Sequence, residues 1–144
     1  MSQNYLIAFD GSNASHRALT YGAERARASG ARVVLAHVLE WSPYSILSAE
    51  EIAERHKRRN EEVGRAENII LNPMKEKLSR EGVEVETVVR YGHVAETLST
   101  LAEEYKVTQI IIGRMGESGL QKRLFGSVSV TLAQIAPVPC TIVP

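Results

Sequence analysis

The sequence predicts an α/β protein, a three-layer α/β/α sandwich built on a five-stranded parallel sheet of order 3-2-1-4-5. Two observations carry the class. Short apolar runs at residues 5–9, 33–39, 83–89, 109–113 and 140–143 alternate with longer stretches of helical period, the signature of successive βαβ units. The runs also differ in kind. Residues 5–9 and 110–112 are continuously apolar, as strands covered on both faces should be, whereas residues 83–89 alternate and carry Glu84 and Glu86 on one side, as an edge strand would. Right-handed crossovers with the first and fourth strands central give that order as the simplest solution. At 144 residues the chain is one domain, 1–144.

The connections follow in turn. Ala14, Ala18, Gly22 and Ala26 form a small-residue stripe at helical spacing, entered through Ser12 and Asn13 and ended by Gly30, so this helix can lie close against the sheet. A second helical stretch opens with Ser48-x-x-Glu51, a capping-box pattern, and is expected to kink or split at Asn72-Pro73. Within residues 50–67, six acids face five bases, with Glu51/Arg55 and Glu54/Arg58 four apart, which reads as a solvated face rather than a nucleic-acid patch. Val94, Leu98, Leu101, Ala102 and Tyr105 mark the face of a third helix; Val128, Leu132 and Ile135 mark that of a fourth, begun at Ser127.

Composition excludes several functions. Seventeen basic residues balance seventeen acidic ones, leaving no global field to attract nucleic acid or anionic lipid. No apolar run approaches the ~18 residues that span a bilayer, and the first ten residues lack a signal-peptide pattern, so a cytoplasmic protein is expected. Cys140 is the single cysteine, read as a buried inert thiol, and His16, His37, His56 and His93 are scattered without metal-ligand spacing. His37, inside a strand, reads as a satisfied core histidine.

In a sheet of this order a ligand binds beyond the carboxyl ends of the strands, at the switch point between the first and fourth. The residues there are Asp10 and 113–116. The pattern Gly113-x2-Gly116-x9-Gly126-Ser127 combines glycines that bring backbone amides close to an anion with a serine that begins a helix, whose free N–H groups favour phosphate. Arg114, Lys122 and Arg123 against Glu117 give residues 114–126 a local charge of +2. The same glycines could equally end a strand and bend a loop, and spacing alone does not decide between the two. Asp10 could start a turn by bonding the amides of Ser12 or Asn13, or bind Mg²⁺ on a polyphosphate. Neither a Gly-x4-Gly-Lys-Ser/Thr phosphate loop nor a dinucleotide fingerprint is present, and no nucleophile stands beside a base.

These residues resemble the universal stress protein family over the whole chain. Gly113-x2-Gly116-x9-Gly126-Ser127 is similar to the family's ATP-binding motif, Tyr5-Leu-Ile-Ala-Phe-Asp10-Gly-Ser12 to its first strand and acidic turn, Ala36-His-Val-Leu39 to its second strand, and Pro137-Val-Pro-Cys-Thr-Ile-Val143 to its last. The resemblance implies a Rossmann-like adenine-nucleotide-binding fold and a regulatory, stress-response protein that holds ATP with Mg²⁺. Carried over, the site is Asp10, also the metal ligand, with Val38, Gly113, Arg114, Gly116, Gly126, Ser127, Val128 and Ser129, and main chain at the end of the second strand receives adenine. Ala8 departs from the proline that several ATP-binding members have there. The resemblance further implies a homodimer paired through the edge strand Cys140–Val143, which Val143→Pro is expected to break. Two other readings are a slow ATPase or nucleotidyl-transferring enzyme of the same fold, and a dimeric interaction module with an empty site.

Overall fold

The computed structural model describes residues 3–40, 48–114 and 127–144. Five strands, β1 (Asn4–Ala8), β2 (Arg32–Leu39), β3 (Val85–Tyr91), β4 (Gln109–Gly113) and β5 (Cys140–Val143), form one sheet of order β3-β2-β1-β4-β5. Every pairing is parallel. Helices α1 (Asn13–Ser29), α2 (Ala49–Arg65) and α3 (Asn72–Arg80) connect the first three strands, and α4 (Val94–Glu104) and α5 (Ser127–Ile135) the last. The alternation of side chains along each strand divides the interior into two cores. Tyr5, Ile7, Val33, Leu35 and Ile111 pack with α1 and α3 on one face, while Leu6, Val34, Ile110 and Ile112 pack with α4 and α5 on the other.

Helix α1 begins where the sequence places it. The Ser12 side chain accepts the Ser15 N–H, and Gly30 ends the helix in the left-handed conformation at φ 74°, donating its N–H to the Ala26 carbonyl. The small-residue stripe brings helix and sheet together: a Cβ on Gly22 would lie 2.5 Å from Ile7 Cδ1 and 3.2 Å from Ile111 Cδ1. Helix α2 opens with the expected capping box, Ser48 and Glu51 each bonding the other's backbone N–H, and none of its residues is buried.

Three details refine the sequence reading. The α-helical run is split at Asn72-Pro73 as expected, but by a π-helical stretch rather than a break: Ala66–Leu71 precedes α3, and the Asn72 N–H reaches the Glu67 carbonyl. A proline ring clashes with the carbonyl four residues earlier, and the wider turn relieves the clash, so Asn72 keeps a helical backbone. The third strand starts at Val85, not Val83, because the Val83 N–H turns back to the Leu78 carbonyl and closes α3. It is the edge strand expected, and Glu84 and Glu86 are paired with Arg32 at 3.4 and 3.1 Å. In α5, Leu132 is fully buried but Ile135 is 43% exposed, so the apolar face is narrower than its spacing suggests.

Candidate functional site

Strand β1 ends at Ala8 and β4 at Gly113, and their helices leave on opposite faces of the sheet, which opens a crevice at the switch point. Asp10 stands at its β1 side. Its Oδ1 accepts the Ser12 N–H at 2.9 Å, the aspartate turn anticipated from the sequence. Below it Ser12 and Ser15 form a buried knot: Ser15 Oγ donates to the Ser12 carbonyl at 2.9 Å and accepts the Asp10 N–H at 3.3 Å, while Ser12 Oγ accepts the Ser15 N–H and donates to Ser15 Oγ. Partial burial pushes the Asp10 carboxyl up, but hydrogen bonding from Ser12 and Ser15 and the nearby His37 outweigh it and hold the pKa below the usual 3.8. A carboxylate is therefore kept ionised, with its side chain exposed to the crevice.

The next strand supplies main chain. The β1–β2 ladder runs to Ala8 opposite Ala36, with one further bond from the Phe9 N–H to the Ala36 carbonyl at 2.8 Å. Successive residues of β2 point their N–H and C=O groups to alternate sides, and the Gly92 N–H bonds the Leu39 carbonyl on the β3 side, so Val38 faces β1. Its amide would next donate to the Phe9 carbonyl. That bond is not made; His37 Nδ1 lies 2.9 Å from the Phe9 oxygen instead. Among the described residues, the Val38 N–H and C=O have no backbone partner.

Gly113 ends β4 with a packing reason of its own. A Cβ there would lie 2.6 Å from the Ala14 carbonyl oxygen and 2.7 Å from its carbon, so only glycine lets the first turn of α1 approach. Arg114 is exposed, and its N–H bonds the Val143 carbonyl at 2.8 Å. Ser127 opens α5 exposed, Val128 packs half-buried on the second core, and Ser129 is buried, so Ser127 carries the exposed hydroxyl of that turn. Gly116 and Gly126 lie outside the described residues, as do Trp41, Tyr44, Glu117, Lys122 and Arg123. The sequence reading named Ser12 only as turn and cap and gave Ser15 and His37 no part in the site. The spacing Asp10-x-Ser12-x-x-Ser15 was the available signal for the first two; His37 was read as a satisfied core histidine, and it is one, buried with Nδ1 bonded.

Two depressions of about 440 and 370 Å³ lie elsewhere, along the outer face of α1 around Tyr21 and Glu24. Among the described residues no cluster of three His, Cys, Asp or Glu side chains could hold a metal unaided. A single ionised carboxylate suits Mg²⁺, which keeps waters and binds through one or two carboxylates together with a ligand's phosphates. Asp10 fits that use, and the ion would bring charge neutralisation of the phosphate groups.

The strand order and the crossovers on both faces make this an open, doubly wound α/β protein, with an ionised aspartate after β1 and free main chain at the end of β2. The model of the universal stress protein family matches residues 1–144. The universal stress protein YxiE of Bacillus subtilis is 31% identical over 147 residues, covering 99% of both chains. Of the solved structures, the universal stress protein UspA from Lactobacillus plantarum aligns at TM-score 0.84 and 18% identity over 99% of this chain and 97% of its own. The universal stress protein from Archaeoglobus fulgidus in complex with dAMP aligns at TM-score 0.65 and 22% identity, over 100% and 98%. This chain belongs to the universal stress protein family.

Proposed function

We propose that the protein is a nucleotide-binding regulator that holds ATP with Mg²⁺ between the ends of β1 and β2 and the segment joining β4 to α5. The observation that carries the reading is the open main chain of Val38 beside the ionised Asp10. Adenine presents a donor and an acceptor on one edge, and a strand-end N–H and C=O match that pattern without any side chain. Asp10 would supply a protein oxygen to a phosphate-bound Mg²⁺, and Ser127 with the N–H groups at the start of α5 would receive the phosphates. Arg114, with the glycines Gly116 and Gly126 in the intervening segment, completes the cradle in this reading. The dAMP held by the A. fulgidus relative supports an adenine nucleotide as the ligand class.

The reading takes occupancy rather than turnover as the use of the site, since the sequence carries no phosphate-loop lysine. The protein would act in the cytoplasm as a homodimer and present its bound state to partner proteins. Mass spectrometry of small molecules released by denaturing freshly purified protein, with calorimetry against ATP and Mg²⁺, tests the reading. A released adenine nucleotide, or ATP affinity that falls in Asp10→Asn, is expected. Protein that carries none and takes up none at millimolar concentration contradicts it.

A further inference from the structure

We propose that His37 is a positioning residue of this site, whose imidazole occupies the Phe9 carbonyl so that the Val38 amide stays free for a ligand. A parallel ladder that reaches Ala8 opposite Ala36 would continue by one bond, from the Val38 N–H to the Phe9 oxygen. Both strands are still in place there, since the Phe9 N–H bonds Ala36 and β2 continues to Leu39 beside β3. Where the ladder stops, the carbonyl already has a donor: His37 Nδ1 sits 2.9 Å from it, and although an oxygen can accept twice, its need for a partner is met without the Val38 amide. A carbonyl only accepts, so Nδ1 carries the proton and donates. Phe9 is buried, and its carbonyl needs at least one partner; with that partner supplied by a side chain, the Val38 amide is not required there.

The inference rests on the adenine reading of Val38 but is tested separately from it. Removing the imidazole leaves a buried carbonyl without a donor, and the nearest remedy is closure of the Val38 N–H onto Phe9. The strand fork would then zip up by one rung, and adenine would have to compete with an internal hydrogen bond. A histidine that merely filled the core would have neither effect.

Amide exchange at Val38, followed by NMR in ligand-free protein, reads the first effect, and calorimetry with ATP·Mg²⁺ and with Mg²⁺ tripolyphosphate reads the second. In the wild type the Val38 amide should exchange at least about tenfold faster than the ladder amides of β2. His37→Leu should slow it to their level and weaken ATP by about tenfold, with tripolyphosphate affinity unchanged because that probe has no base to place at Val38. His37→Asn, whose side-chain amide reaches the Nδ1 position, should restore both. Should His37→Leu fail to fold, His37→Gln, which carries its amide past the carbonyl, takes its place. A Val38 amide already protected in the ligand-free wild type, or unchanged exchange on removal of the imidazole, overturns the role of His37. Absence of ATP binding by a wild type whose exchange behaves as described overturns the nucleotide reading alone.

Discussion

Asp10 is stabilised in its charged form, and that has a consequence with a definite sign. Its folded pKa lies below the unfolded value of 3.8, so the stability it contributes is complete above that value and is lost as pH falls through the folded one. The carboxylate is exposed and screened, which limits the contribution to about 1 kcal/mol or less. Chemical denaturation of wild type and Asp10→Asn should show a small gap at pH 7 that closes below about pH 4; a gap that widens in acid contradicts the assignment. Gly113 makes a second residue-scale prediction. Because an added Cβ meets the backbone of Ala14 rather than a side-chain tip, Gly113→Ala should cost about 1–3 kcal/mol by urea denaturation, whatever it does to binding. The turn at Asp10 was legible because aspartate and serine two apart encode it locally. The work of His37 was not, since it depends on which carbonyl of β1 lies beside it, a relation across 28 residues of chain.

Whole elements were legible where the deciding interaction is short-range and obscure where it is not. The Ser48/Glu51 box, the Gly30 stop and the limits of β4 and β5 were readable from neighbouring residues alone. The start of β3 was misplaced because Val83 and Val85 are alike in type, and only the bond from Val83 back to α3 separates them. The π-helical stretch escaped because proline signals a break without saying how the chain absorbs it. Helix α2 offers a test of its solvated state. Gly64 has nothing within 4 Å of an added Cβ and an ordinary backbone, so Gly64→Ala should stabilise the protein by about 0.5–1 kcal/mol, measured as a raised denaturation midpoint. A loss of stability would mean that this helix packs more closely than its exposure indicates.

For the molecule as a whole, the strand order was legible because burial on both faces and burial on one face leave different residue patterns, and right-handed crossovers join them most simply in this order. The edge at β5 is where the sequence reading needs a different experiment. The Val143 carbonyl accepts from Arg114, so Val143 faces β4, and Val143→Pro would damage the sheet itself. Ile142 points its backbone outward and its side chain is 40% exposed. Ile142→Pro should therefore convert a dimer to a folded monomer in sedimentation equilibrium; a wild type that is monomeric at micromolar concentration contradicts pairing through this edge. Hydrolysis of bound ATP should be slow, below the ordinary enzyme range of ~1–10³ s⁻¹, in a single-turnover assay with Mg²⁺.

The proposed function places an adenine nucleotide at the carboxyl ends of β1, β2 and β4. Titration of isotope-labelled protein with ATP and Mg²⁺, followed amide by amide in NMR spectra, tests it most directly. The largest shifts are expected at Asp10, Ser12, Val38 and Ser127, with the Val38 amide newly protected from exchange. Shifts confined to the outer face of α1 around Tyr21 and Glu24, or no shifts at millimolar ATP, would contradict it.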